Sequence, residues 1–318
     1  MKEGSKIKTA FFWGLGLVVV AAAALILFLP RDRLDPPPAF PELSGPYLGQ
    51  PEPGRAPRLF AASVLGCDLH SPPIFSPDGE SVYWCRMDSE GTDEILWMRR
   101  DDGIWQPPEV VPFASRFGGS DSPFLSSDGE HLYFTSFRPA SLGRLFANQE
   151  TLWVAERTAS GWGSAQPVAF EGPPPSAHWA FSVTDSGTLY FGFHGEIYVA
   201  EAGSTGYNTP RLIGLPISTP GREEMPHVSA DGSYMLFASD SYASHLGNID
   251  LYLSIRQPDG AWGEPIHLDP PVNSMHQELY PAMSPDGRYL FFLSTRGGEH
   301  NAYWVDASVV TDHFLQAE

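Results

Sequence analysis

The chain has 318 residues, 42% hydrophobic and 13% aromatic, enough for one large core. A formal net charge of −19 makes the body acidic, which repels phosphate backbones and excludes nucleic-acid binding. The 31 glycines and 31 prolines are too many breakers for a helical protein and suit one built from many tight turns.

Residues 1–9 carry Lys2, Lys6 and Lys8 against one acid, Glu3, and are expected to stay in the cytoplasm. Residues 10–29 follow without a charged or strongly polar side chain. As a helix this run crosses a hydrocarbon core of about 30 Å, so a transmembrane anchor is expected. A cleaved signal peptide is the competing reading, but its core would be shorter and Leu25 to Leu29 would remain as an apolar stub. The lysines ahead of the span orient the body outward. The expected location is therefore the bacterial inner membrane, single-pass, with the body in the periplasm.

Residues 30–57 hold nine prolines and little apolar material, and read as a semi-rigid polyproline linker. From residue 58 a repeat takes over. Its best copy is Ser284-Pro285-Asp286-Gly287, a type I turn with Pro presetting the second corner and Gly closing the fourth. The run Tyr289-Leu290-Phe291-Phe292 then reads as a strand. Weaker copies end in Gly79, Gly129, Gly187 and Gly232, so the five turn glycines are 50, 58, 45 and 55 residues apart. Each copy has a short apolar strand into the turn and an aromatic strand out of it. A third strand is headed by an acid or amide (Glu94, Glu150, Glu196, Asp250, Asn301), and a Gly-aromatic-Pro unit closes the copy.

Repeats of this length with four short strands predict an all-β protein, a β-propeller of four-stranded antiparallel blades. Five copies predict five blades, with a sixth, degenerate blade as the alternative count. The fifth copy lacks its fourth strand. Pro57-Arg58-Leu59-Phe60 reads like Pro210-Arg211-Leu212-Ile213 and is expected to supply it, so that residues 58–318 form one ring without an open sheet edge.

The Ser-Pro-Asp-Gly turn followed by Tyr-Leu-Phe-Phe-x-Ser-x-Arg resembles the PD-motif (WD-like) repeats of the Tol-system protein TolB. More closely, it resembles a group of exported bacterial proteins built solely from such repeats, which Tyr47-Leu48-Gly49-Gln50 also matches. The likeness spans about residues 47–310. It implies a propeller outside the cytoplasm and leaves function open, because the repeat serves binding modules and enzymes alike. The third copy departs from the pattern, with Thr184-Asp185-Ser186-Gly187 at the turn and Phe181 where the others have Pro.

Nine residues before each turn glycine stand His70, Ser120, His178, Glu223 and Glu278, with Asp121, Glu224 and His276 beside them. In register, these would ring one mouth of the central channel and could bind a divalent cation, a cationic ligand or a basic partner peptide. The competing reading makes them loop caps and bridges between blades. Arg138 and Arg296 end their second strands, with Arg86 displaced by two, either for anion recognition or for ion pairs within the blades. Trp105, Trp162 and Trp262 recur once per repeat, as packing residues do. Cys67 and Cys85 flank the first hairpin, and a bridge between them would need a bulge or loop to bring them together.

The sequence holds no G-x-S-x-G elbow, HExxH or P-loop. The function expected is a membrane-anchored binding or scaffolding module of the envelope, with an envelope protein or small ligand as partner. No cofactor is required, a divalent cation being the one candidate. The alternative is a carbohydrate-active hydrolase using Asp121, Glu223 and Glu278 as mouth carboxylates.

Overall fold

The computed structural model describes residues 40–88, 91–114, 118–139, 150–159, 161–172 and 180–314. The expected anchor at 10–29 and its flank at 1–9 lie outside the described residues, as does His178. Among the described residues no helix is long and apolar enough to cross a membrane.

After an edge strand, β1 (Leu43–Ser44), and a closing strand, β2 (Arg58–Leu59), the chain forms five antiparallel sheets in sequence order. Blade 1 holds β3 (Ile74–Phe75), β4 (Ser81–Met87), β5 (Asp93–Asp101), β6 (Ile104–Trp105) and β7 (Glu109–Val110). Blade 2 holds β8 (Ser120–Leu125), β9 (His131–Ser136), β10 (Thr151–Thr158), β11 (Gly161–Trp162) and β12 (Gln166–Pro167). Blade 3 is β13 (Phe181–Val183), β14 (Leu189–Phe193), β15 (Glu196–Ala200) and β16 (Arg211–Leu212). Blade 4 is β17 (Glu223–Val228), β18 (Tyr234–Ser239), β19 (Asp250–Ile255) and β20 (Ile266–His267). Blade 5 is β21 (Glu278–Met283), β22 (Tyr289–Ser294) and β23 (Asn301–Asp306), with β2 as its outer strand. The protein is a five-bladed propeller; no sixth sheet is present among the described residues.

The turns build each blade from local chemistry. Gly287 donates its N–H to the Ser284 carbonyl at 2.9 Å, and its φ of 68° is one that glycine adopts without strain. Asp286 Oδ1 accepts from Ser284 Oγ at 2.7 Å and from the Arg288 N–H at 3.1 Å. The same pattern recurs at Ser76/Asp78, Ser126/Asp128 and Ser229/Asp231. In blade 3, Thr184 and Ser186 replace the pair, and their hydroxyls bond to each other at 2.9 Å.

Aromatic side chains tie each blade to its neighbour. Tyr83 meets Trp162 edge-on at 6.1 Å, with its hydroxyl accepting the indole N–H, and Tyr190 meets Trp262 likewise at 6.1 Å. Trp105 is fully buried and donates to the Gly45 carbonyl at 2.8 Å. The recurring tryptophans are packing residues; edge-to-face pairs of this kind add about 0.5–1.5 kcal/mol each beyond their buried area.

Residues 42–57 are not a free stalk. Leu43 pairs with Trp105, Leu48 is 1% exposed, and Tyr47 packs edge-on against Phe75 and Tyr289 at 4.9 and 5.1 Å. Proline content signals stiffness, and a stiff segment carrying Tyr47 and Leu48 docks at small entropic cost. Cys67 is exposed and Cys85 buried, and both are free thiols.

Candidate functional site

Three innermost strands switch backbone at one register point. Ser122, Met225 and Tyr280 have φ of 51°, 60° and 51°, each followed by a proline, and the ladders of β8, β17 and β21 shift register there. Ala180, just ahead of β13, has φ 59°. The three register shifts are β-bulges, in which one extra residue is left unpaired and bends the strand. Positive φ at non-glycine residues is strained and concentrates where ligands bind.

Above this ring lies a cavity of about 600 Å³, walled by Leu69, Phe137, Met225, Ile249 and Leu279 among others. Its polar lining comes from blades 1 and 2 (His70, Asp93, Asp121, Glu150) and from the facing blades 4 and 5 (Arg222, Gln277, Tyr280, His300), and the tightest cluster lies at His70. His70 is fixed by its N–H donating to the Cys85 carbonyl at 3.0 Å, and its Nδ1 lies 2.8 Å from Asp93 Oδ1 and 3.8 Å from Asp121 Oδ2. Asp93 opens β5, and Gly119 allows blade 2 to press against it. A Cβ on Gly119 would stand 3.0 Å from the Asp93 nitrogen, tighter than ordinary contact. All three side chains are partly buried, at 28%, 24% and 15% exposure for His70, Asp93 and Asp121.

The charges perturb one another. The Asp93 carboxylate raises the His70 pKa against the opposing effect of burial, and Asp121 adds to it. Burial pushes the Asp121 carboxyl up to about 7, with Asp93 contributing, while the Cys85 thiol and His70 pull the other way. Tyr280 also lines the cavity; burial holds its phenol well above the usual tyrosine range, and Asp121, Glu150 and Glu224 reinforce the shift.

The other mouth candidates are placed differently. Glu223 and Glu278 have no exposed surface and line no part of this cavity. Glu223 accepts from the Thr219 N–H and hydroxyl at 2.9 and 2.7 Å. Glu278 accepts from the Ser274 N–H and hydroxyl at 2.9 and 2.7 Å, from Ser294 Oγ at 2.8 Å, and pairs with Arg296 at 3.0 Å. Both carboxylates fasten the preceding loop to their blade. In blade 2, Ser120 accepts from Arg138 at 2.9 Å, and it is Arg138 that reaches the preceding loop, donating to the Phe113 carbonyl at 3.0 Å. Glu224 pairs with Arg222 at 2.7 Å beside the cavity, and His276 is exposed. Of the residues read from the sequence, the structure brings together His70 and Asp121. Asp93, which completes the cluster, was not among them. Its signal was its place at the head of a third strand, next to Glu94, because third strands start on the same face as first strands.

The fold and this mouth define a class: a five-bladed β-propeller with an acidic, partly apolar cavity at one end of its channel. No protein-family model matches the chain, and none of the curated proteins does. Solved propellers do. A TolB structure from Agrobacterium tumefaciens is 19% identical over 70% of this chain and 69% of its own, with a TM-score of 0.45. TolB from Acinetobacter baumannii is 15% identical over 75% of this chain and 54% of its own, with a TM-score of 0.44. An endo-arabinase from Bacteroides thetaiotaomicron is 13% identical over 76% of this chain and 95% of its own, with a TM-score of 0.46. At these identities the likeness is one of fold.

Proposed function

We propose that this protein is an extracytoplasmic binding propeller, held at the membrane by residues 10–29, that takes its ligand in the mouth cavity. The observation that carries the reading is the convergence of His70, Asp93 and Asp121 on one side of a roughly 600 Å³ cavity with apolar walls. Small-molecule sites have this build, with apolar lining and a few convergent polar groups. Asp93, Asp121 and Glu150 give the lining three carboxylates against one guanidinium, Arg222, which is itself paired with Glu224. The chemistry therefore favours a donor-rich or cationic ligand, either free or as the side chain of an envelope protein.

The hydrolase alternative loses two of its three carboxylates. Glu223 and Glu278 are sealed and engaged in hydrogen bonds, so neither can reach a glycosidic bond. Of the three, Asp121 alone lines the cavity, where Asp93 and Glu150 join it.

A thermal-shift screen of the full chain against cations, amines, basic peptides and neutral sugars tests the reading. A shift that disappears in Asp121→Asn supports a ligand site at the mouth; no shift from any class, or one indifferent to that substitution, contradicts it. For location, a reporter fused after Glu318 should be active only outside the cytoplasm, and cytoplasmic activity would overturn the anchor.

A further inference from the structure

We infer that His70, Asp93 and Asp121 form a binding site for one divalent transition ion of the Zn²⁺ or Mn²⁺ type, with its open coordination position facing the cavity. This deepens the binding reading and rests on it only for the cavity as the place of an outside ligand; uptake of the ion itself is a separate question. One imidazole nitrogen and two carboxylate oxygens lie within 4.8 Å of one another, contributed by the loop before β3, the start of β5 and the start of β8. Ligand atoms around an ion at about 2.0–2.2 Å stand some 3–4 Å apart, so small side-chain rotations close the set.

A second feature points the same way. Asp93 Oδ1 is sealed from solvent and has no hydrogen-bond donor aligned with it, although His70 Nδ1 is only 2.8 Å away. That oxygen is left without a well-aligned donor, and a small rotation that opens the 2.8 Å approach to about 3–4 Å would set both atoms at co-ligand separation. The backbone supports it, since Gly119 removes the Cβ that would push Asp93 away from Asp121.

The donor set selects the ion. Imidazole suits Zn²⁺, Mn²⁺ and their neighbours better than Ca²⁺ or Mg²⁺, which favour oxygen-only cages. Three protein ligands on one side of a cavity leave a position open, as in sites where the ion holds an outside ligand rather than a fold.

Full chain stripped with EDTA and titrated with ZnCl₂, MnCl₂ and CaCl₂ by calorimetry tests the site. The expected result is one equivalent of Zn²⁺ or Mn²⁺ bound more tightly than Ca²⁺, weakened on the order of a hundredfold or more in Asp93→Asn and Asp121→Asn, and unchanged in His276→Ala on an exposed loop. No uptake, or uptake indifferent to the two Asn substitutions, overturns the inference. If either variant fails to fold, the unmodified chain decides: Mn²⁺ should broaden the ring resonances of His70 and Tyr280 before those of His245 and His276, and the reverse order refutes the site. Ligand binding that persists without any metal uptake sinks this inference and leaves the binding reading standing.

Discussion

Arg58 stands opposite Trp304 in an antiparallel ladder, so a strand that precedes the first blade completes the last. Phe60, just beyond it, is fully buried and packs edge-on against Phe291 and Trp304 at 5.1 and 5.0 Å. Removing residues 57–64 should therefore lower the melting temperature of the whole propeller in one cooperative step. Phe60→Ala alone should cost about 3–5 kcal/mol in urea unfolding. An unchanged unfolding curve for the deletion would refute ring closure by this strand.

The segment before that strand belongs to the body as well. Leu48 is buried and Tyr47 sits among Phe75, Tyr289 and Trp304. Leu48→Ala should destabilise by about 2–5 kcal/mol, measured by chemical denaturation. A loss below about 0.5 kcal/mol, usual for exposed positions, would return residues 42–50 to linker status.

Arg296 and Arg138 end equivalent strands but face different partners. Arg296 meets the buried Glu278 carboxylate, whereas Arg138 meets the hydroxyls of Ser120 and Ser136 and the Phe113 carbonyl. Arg296→Ala should cost about 3–5 kcal/mol by stranding a buried charge, and adding Glu278→Gln should recover part of that loss. Arg138→Ala strands no carboxylate and should cost less. Equal losses, or no recovery in the double variant, would argue against this assignment.

His227 supplies a pH signature. Burial lowers its pKa to about 4, and its neutral Nε2 accepts the Met283 N–H at 3.2 Å. The unfolded chain binds this proton below about 6.5, so stability from this group is complete above pH 6.5 and falls as pH drops toward 4. The loss at pH 5 is about 2 kcal/mol. His227→Gln, which keeps an acceptor, should flatten the stability profile between pH 4 and 6.5 relative to wild type; parallel profiles would contradict the assignment.

How far these features can be read from sequence depends on their range. The turns are legible because four adjacent residues dictate them: Ser284, Pro285, Asp286 and Gly287 contain the hydrogen bonds they form. Blade number and the closing strand follow from the repeat. The mouth is only half legible. Counting back from the turn glycines gives His70, and Ser120 with Asp121 beside it, yet it also returns Glu223 and Glu278, whose carboxylates turn to the loops at Thr219 and Ser274. That turn depends on a hydroxyl four residues upstream and on the bulges at Met225 and Tyr280, which no single-strand pattern announces. Asp93 escapes because its role arises only when blade 2, through Gly119, is laid against the third strand of blade 1.

One paired comparison tests the central claim, that the mouth site is built by blades 1 and 2 while the glutamates of blades 4 and 5 hold loops. The full chain is made as Asp93→Asn/Asp121→Asn and as Glu223→Gln/Glu278→Gln, and each is measured for melting temperature and for affinity toward whichever cation or ligand shifts the wild type. The aspartate pair should lose affinity with little change in melting. The glutamate pair should melt lower and keep its affinity. Affinity lost with the glutamates and retained without the aspartates would contradict the claim and return the site to the opposite side of the ring.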